Sequence, residues 1–156
     1  MTLLSVSHLK QRQSADCLAA CAVMALHYLA LPTQYDRLTR LLGITRYGAV
    51  FSNLQRLESL GVSVLIEPGE LETLRRHLDT GLPPLVPVET RWLGYWKVDT
   101  YHVVVVVGIE DETVYVNDPY FDTAPIAVSI NEFIPAWVER KSLYGVMGLQ
   151  PFEKSI

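Results

Sequence analysis

The chain has 156 residues, a natural length for one domain with a buried core. Its composition, 49% hydrophobic and 19% charged, is that of a folded globular protein and excludes an intrinsically disordered chain. The net charge of −4 and the lack of any Lys/Arg cluster argue against nucleic acid as a partner. The longest apolar runs are far too short to cross a bilayer.

The amino-terminal residues give no sign of a secretion signal. Residues 1–8 have no positive region, no long apolar core and no small-residue cleavage site. For a full-length chain we therefore expect a cytoplasmic location. The two cysteines, Cys17 and Cys21, are expected to be reduced thiols, because helical positions four apart are poorly aimed for a disulfide. Too few potential ligands surround them in the sequence for a metal site.

Helices are predicted for the first part of the chain. Residues 16–29 are rich in alanine and apolar nearly all round, which is typical of a central buried helix. Asp16 belongs to the residue types that cap helices, which would place Cys17 in the first turn. Pro32 ends this helix. Thr33 is expected to cap a short amphipathic helix that Gly43 closes.

The remaining elements follow from hydrophobic periodicity and turn residues. In chain order they are a helix over about 51–60 with apolar residues at every third position, a strand over 62–67, a helix over 70–78, an edge strand over 85–89, a strand over 101–109 buried on both faces, its hairpin partner over 113–117, a helix from a capping box at 129–132 to about 138, and a strand over 144–149. Helices followed by mostly antiparallel strands predict an α+β fold in a single domain over residues 1–156.

Cys17 is the better candidate of the two cysteines for a nucleophile. A thiol nucleophile needs a lowered pKa, a base that moves its proton, and donors for a developing oxyanion. The first turn of a helix supplies the first of these through the helix dipole and unpaired N–H groups. Cys21 lies one turn deeper in apolar sequence, so we expect it to be a core residue.

Among the four histidines, His102 is the best candidate for the base. His8 lies near a terminus, His27 lies on another face of the cysteine helix, and His77 belongs to a charged helical surface. His102 begins the strand over 101–109, a rigid scaffold for an imidazole. Without other information, a hydrogen-bonded core histidine explains this position equally well.

Asp118 is the candidate for the group that orients this base. It ends the strand that the hairpin pairs with the strand of His102, and the turn at 110–112 brings position 118 opposite roughly position 103. A carboxylate there would accept a hydrogen bond from one imidazole nitrogen and fix the tautomer. The sequence Asn117-Asp118-Pro119 is also a turn signal in its own right.

Three separated segments resemble the bacteriocin-processing peptidase family, a papain-like group. The first segment, over 11–21, has matching residues at Gln11, Asp16, Ala20 and Cys21 around Cys17. The second contains Gly48 and the helix that follows it. The third runs over 101–119 and resembles the family's histidine strand and its Asp-Pro box, and the whole resemblance covers about residues 8–150.

The resemblance implies a papain-like fold, with amino-terminal helices packed on a mostly antiparallel sheet, and a role for each matching residue. Cys17 would be the nucleophile, His102 the general base and acid, and Asp118 the orienting carboxylate. Gln11 would donate to the oxyanion beside the backbone N–H of Cys17, and Gln13 is an alternative for that role. Members of the family cleave after double-glycine leaders, often as a domain of an export transporter, and need no cofactor.

Two features of the sequence leave questions of specificity open. Leu18 stands where the family usually has glycine, and we expect its bulk to narrow the cleft or to alter the path of the substrate backbone. The segment over 91–97 is unusually aromatic for a loop. It is either a wall or lid of the substrate cleft or a loop folded back over the core.

The sequence therefore predicts a cysteine peptidase that acts on a peptide or protein through an acyl-enzyme. An acyl transferase or amidase would use the same residues with a different acceptor. A papain-like domain retained only for binding peptides is a further alternative, although such domains typically lack the cysteine or the histidine.

Overall fold

The computed structural model describes residues 3–152 as four α-helices, two 3-10 helices and six strands. The ends of the predicted domain, residues 1–2 and 153–156, lie outside the described residues. The elements are α1 (Cys17–Tyr28), α2 (Tyr35–Leu41), a 3-10 helix (Phe51–Leu60), β1 (Ser63–Pro68), α3 (Leu71–Asp79), β2 (Leu85–Glu89), a short 3-10 helix (Thr90–Trp92), β3 (Tyr101–Glu110), β4 (Thr113–Asn117), β5 (Ile126–Ser129), α4 (Ile130–Val138) and β6 (Leu143–Gly148).

The six strands form one sheet in the order β1-β6-β2-β3-β4-β5, and all neighbouring strands are antiparallel. This arrangement confirms the predicted α+β class. The expectation of an edge strand over 85–89 is wrong, because β2 pairs with β3 on one side and with β6 on the other. The amino-terminal helix α1 packs against the central strand β3. None of the helices within residues 3–152 is long and apolar enough to cross a membrane.

The sheet separates two hydrophobic cores. Val103 and Val105 of β3 face a first core that contains α1 and the 3-10 helix over 51–60. Val104 and Val106 face a second core that contains the apolar residues of α3 and α4. Strand β3 is therefore buried on both faces, as its run of β-branched residues predicts.

The predicted helix over 51–60 forms, but as a 3-10 helix. Its residues Phe51, Leu54 and Leu57 are buried in the first core. Because a 3-10 helix has three residues per turn, apolar residues three apart lie on one face. The periodicity in the sequence thus matches the observed type of helix better than an α-helix.

The predictions of helix caps are only partly correct. Thr33 does not cap α2: its hydroxyl donates to Leu31 O, and the helix begins at Tyr35 after Gln34. Ser129 does cap α4 by accepting a hydrogen bond from Asn131 N at 3.1 Å. Glu132 does not complete a capping box, because its carboxylate accepts instead from Gly94 N.

Strand β5 lies outside the predicted elements. It has only four residues, Ile126–Ser129, and pairs with β4 at the edge of the sheet. Its last residue also caps α4, and the signal of that cap dominates the local sequence. A strand this short gives too little alternation to be recognised.

Candidate active site

Helix α1 presents Cys17 at its first residue and buries Cys21 one turn later. Cys17 is 9% exposed, whereas Cys21 is completely buried. The thiol of Cys21 donates to Val103 O at 3.4 Å, which fixes α1 against β3 next to His102. Burial raises the pKa of Cys21 well above its ordinary value. Cys21 is a core residue, as the apolar sequence around it predicts.

His102 is the second residue of β3 and is 3% exposed. Its Nε2 lies 2.6 Å from Oδ1 of Asp118. Burial by itself would lower the pKa of His102, but hydrogen bonding with Asp118 and with the side chain of Cys17, and the charges of both, raise it to about 9. The thiol of Cys17 and the carboxylate of Asp118 thus both favour the protonated form of the imidazole.

Asp118 follows β4 directly and is completely buried. Val105 pairs with Asn117, which puts position 118 opposite position 104, one residue from the position predicted. A β-bulge in β3 between Val106 and Gly108 shifts the register. The bulge brings position 118 one residue nearer to His102, and the side chain of Asp118 reaches His102 across the end of the two strands.

Four hydrogen bonds hold the carboxylate of Asp118. Oδ1 accepts from His102 and from Tyr120 N at 3.0 Å. Oδ2 accepts from the hydroxyl of Tyr95 at 2.8 Å and from Nε1 of Trp96 at 2.9 Å. Burial by itself would raise the pKa of Asp118, but its hydrogen bond to His102 and the charge of His102 lower it. The carboxylate is therefore held ionised and in one orientation.

The aromatic segment over 91–97 folds back over the pair of His102 and Asp118. The ring of Trp96 lies 4.7 Å from that of His102 at an interplanar angle of 61°. The ring of Tyr120 also packs against that of Trp96, with the ring centroids 4.6 Å apart. The base of the loop is closed by the buried Thr90, whose hydroxyl donates to Val98 O at 2.7 Å. Of the two interpretations of this segment, the structure supports the loop that covers buried groups.

Tyr95 and Trp96 are the residues of the site that sequence reasoning did not identify. Their only signal is that two aromatic side chains with polar hydrogens lie shortly before a strand that carries a histidine. Such side chains bury their rings when the N–H or O–H finds a partner. Nothing in the spacing indicates that the partner is Asp118.

Gln11 is buried in the loop before α1 and joins it to the loop of Asp118. Its backbone N–H donates to Pro119 O at 2.7 Å. Its side-chain Nε2 donates to Gln13 O at 2.8 Å and to Ser14 O at 3.1 Å. The amide group thus braces the loop that leads to Cys17, while the side chain of Gln13 is exposed.

Leu18 does not narrow the cleft in this structure, contrary to the expectation from its size. Its side chain is 2% exposed and packs in the first core. The residue that follows Cys17 therefore presents only backbone at the start of α1.

A cavity of about 370 Å³ lies beside Tyr101, the residue before His102. Burial raises the pKa of Tyr101, and the charge of Cys17 adds to this effect. The lining residues are Ala49, Val50, Phe51, Pro87, Tyr101, Glu139, Arg140, Lys141 and Leu143. Gly48 lies against the loop before α1, since a Cβ there would be 3.8 Å from Ala15 O. The cavity therefore lies next to the residue that precedes His102 in β3.

These groups together provide the parts of a nucleophilic reaction. The thiol stands at the start of a helix, the buried imidazole lies beside it, and the carboxylate fixes the imidazole. Residues 3–152 contain no group of three or more His, Cys, Asp or Glu side chains placed to hold a metal ion.

The sequence matches the pattern of the peptidase C39 family over residues 5–143. Among solved structures, a protein from Bacillus anthracis described as a C39-like peptidase superposes with a TM-score of 0.79 at 18% identity, covering 99% of this chain and 98% of that one. The peptidase domain of Streptococcus ComA, a bifunctional ABC transporter involved in quorum sensing, superposes with a TM-score of 0.76 at 18% identity, covering 93% and 99%.

A double glycine motif protease from an AMS/PCAT transporter, solved in complex with the leader peptide, superposes with a TM-score of 0.75 at 18% identity, covering 94% of both chains. At this level of identity the three likenesses concern the fold. None of the curated protein sequences matches the chain.

Proposed function

The chain belongs to the peptidase C39 family and is a cysteine peptidase, and we propose that Cys17 is its nucleophile, His102 its general base and acid, and Asp118 the group that orients His102. The observation that carries this proposal is the 2.6 Å contact of His102 with Asp118 beside the first residue of α1. The raised pKa of His102 supports a proton transfer from the thiol to the imidazole.

Hydrolysis in this scheme proceeds through an acyl-enzyme. The thiolate of Cys17 adds to the carbonyl carbon, a C–S bond forms, and the carbonyl oxygen takes the negative charge. The C–N bond then breaks, and the leaving amine takes a proton from His102. Water attacks the thioester with His102 as the base, which releases the acid and restores the thiol.

The oxyanion is proposed to bind at the start of α1, where the N–H of Cys17 and an N–H of Gln11 are the donors. The amide of Gln11 now contacts two loop carbonyls, and the contact with Ser14 O is the longer one at 3.1 Å. When the substrate enters the site, we expect its carbonyl oxygen to replace Ser14 O as the acceptor of this hydrogen bond. The exposed side chain of Gln13 gives less support to the alternative donor.

The proposed substrate is a peptide or protein that contains a double-glycine motif. One similar structure is a double glycine motif protease bound to a leader peptide, and another is a domain of an ABC transporter. By this likeness we propose that the chain acts as one peptidase domain that removes a leader peptide, in association with an export system. A cytoplasmic location is part of the same proposal, supported by the two free thiols.

A peptide library with and without a central Gly-Gly sequence tests this function. The wild type is expected to cleave after Gly-Gly, Cys17→Ala to lose cleavage by orders of magnitude, and Cys21→Ala, the matched control, to retain it. Cleavage by Cys17→Ala equal to that of the wild type would contradict the nucleophile. An amide product formed preferentially when an added amine competes with water would assign an acyl transferase instead.

A further inference from the structure

Asp16 stands immediately before α1 but does not cap the helix. Aspartate at this position usually accepts hydrogen bonds from N–H groups of the first turn. Here the side chain makes no such bond to α1. Its Oδ2 accepts instead from the hydroxyl of Tyr35 at 2.9 Å, and both residues are only 6% exposed. The carboxylate is therefore turned toward α2 and away from the helix that it precedes.

The start of α1 consequently keeps its hydrogen-bond donors. Within residues 3–152 the backbone N–H groups of Cys17, Leu18 and Ala19 have no acceptor. An uncapped helix start favours negative charge, because its N–H groups and the helix dipole both point toward it. If the carboxylate of Asp16 were free to turn, it would accept hydrogen bonds from these N–H groups.

Tyr35 is itself held firmly in place. Its hydroxyl accepts from Arg12 N at 3.1 Å while it donates to Asp16. The guanidinium of Arg12 lies over the phenol ring at 4.3 Å and pairs with Asp36 at 3.2 Å. Tyr35, the first residue of α2, thus contacts both Arg12 and Asp16, at the two ends of the loop before Cys17.

We infer that Tyr35 is a positioning residue that holds the carboxylate of Asp16 away from the start of α1, so that the N–H groups there remain free for the oxyanion of the reaction. A carboxylate that capped the helix would compete for the same hydrogens. It would also place a negative charge next to the charge that develops in the transition state. This inference rests on the proposed function of Cys17.

Two substitutions that remove the same hydrogen bond separate this role from simple support of the loop. Tyr35→Phe leaves the carboxylate free to cap α1, whereas Asp16→Ala removes the carboxylate altogether. We expect Tyr35→Phe to lower kcat by about tenfold to a hundredfold, as the loss of an oxyanion donor does, with KM little changed. Asp16→Ala alone should lower kcat less, and Asp16→Ala added to Tyr35→Phe should restore most of the loss.

A pair of thiol reagents gives a readout that does not depend on turnover. A peptide aldehyde ending in Gly-Gly forms a C–S bond with Cys17, the thiol proton passes to His102, and the π electron pair of the carbonyl moves to oxygen, so its binding needs the oxyanion donors. Iodoacetamide alkylates the sulfur with loss of iodide and forms no oxyanion. Tyr35→Phe is expected to weaken the aldehyde by about tenfold or more and to change alkylation far less. Tyr115→Phe, whose hydroxyl has no hydrogen-bond partner among the described residues, is the matched control.

The outcomes distinguish this inference from the proposed function. Equal losses in Tyr35→Phe and Asp16→Ala, or no recovery in the double variant, would overturn the inference while wild-type turnover persists. Wild-type protein without cleavage that depends on Cys17 would contradict the proposed function itself. Circular dichroism and thermal unfolding of each variant show that a loss does not come from a failure to fold.

Discussion

Nε1 of Trp96 lies 2.9 Å from Oδ2 of Asp118, and the ring of Trp96 contacts that of His102. One side chain from a loop thus touches both members of the buried ion pair. It donates to the carboxylate oxygen that His102 does not use, and it covers the imidazole with an apolar surface. Such groups orient a catalytic base without taking part in the chemistry.

Trp96→Phe is expected to lower kcat, because the ring remains but the donor to Asp118 is lost. A hydrogen bond to a charged group contributes about 1.5–3 kcal/mol. If all of it is lost, kcat falls by about tenfold to a hundredfold, which is the largest decrease we expect. Steady-state kinetics measure the change, and NMR titration of His102 detects a change in its pKa. Trp92→Phe is the matched control, since the indole N–H of Trp92 donates to Glu139 on the exposed surface. Equal effects of the two substitutions would contradict a specific role for Trp96.

The stability of the protein is expected to fall as the pH rises from about 6.5 to about 9. The pKa of His102 is raised from 6.5 to about 9 in the folded state, so the folded protein binds more protons than the unfolded chain in this window. The contribution is fully present below pH 6.5 and is lost as the pH passes through about 9. Urea unfolding at several pH values measures it.

His102→Gln is the control for this pH dependence. It removes the titrating group, so the difference in free energy of unfolding between wild type and variant should shrink across the same window. A difference that stays constant from pH 6.5 to 9 would show that His102 does not carry the raised pKa. Peptidase activity should also decline above pH 9, because His102, as the proposed general acid, must be protonated to release the leaving amine.

Iodoacetamide at neutral pH is expected to label Cys17 before Cys21. Cys17 is at the edge of the surface, whereas Cys21 is buried and its pKa is raised, so its thiolate is scarce. Mass spectrometry of tryptic peptides gives the two rates. In Cys17→Ala we expect no labelling until the protein is unfolded. Slow labelling of both cysteines at one rate would favour a domain that only binds peptides.

Gln11→Glu is expected to reduce both activity and stability. The substitution replaces the amide donor by a carboxylate oxygen that faces the carbonyls of Gln13 and Ser14. The lost bonds and the repulsion should destabilise the fold by about 1–3 kcal/mol. Thermal unfolding and kcat are the two measurements. Comparison with Gln13→Ala assigns the oxyanion donor, because a larger loss of kcat in that variant would move the role to Gln13.

The sequence predicts the framework of the site because that framework follows from local patterns. The apolar run of β3, the hairpin after it and the helix that begins at Cys17 all follow from periodicity and turn residues. The bulge in β3 shifts the register by one residue, which no local pattern shows. This shift places position 104 rather than position 105 opposite Asp118, which brings Asp118 nearer to His102, and the side chain spans the remaining distance.

The contacts that tune the site depend on packing between distant segments, so the sequence does not predict them. The preference of Asp16 for a helix cap is overridden by Tyr35, which lies 19 positions later. The donors to Asp118 come from Tyr95 and Trp96, more than 20 positions before it. The size of Leu18 indicates a narrowed cleft only if its side chain points outward. The side chain is instead buried in the core under α1, which the sequence alone does not show.

The hydrogen bond from Gln11 N to Pro119 O joins the segment before Cys17, the proposed nucleophile, to the segment after Asp118, the proposed orienting group. During synthesis Cys17 leaves the ribosome well before His102 and Asp118. A nascent chain therefore carries its thiol without its base until α1 packs on β3 and this bond closes. If the proposed roles hold, the order of these residues along the polypeptide delays peptidase activity until the protein has folded.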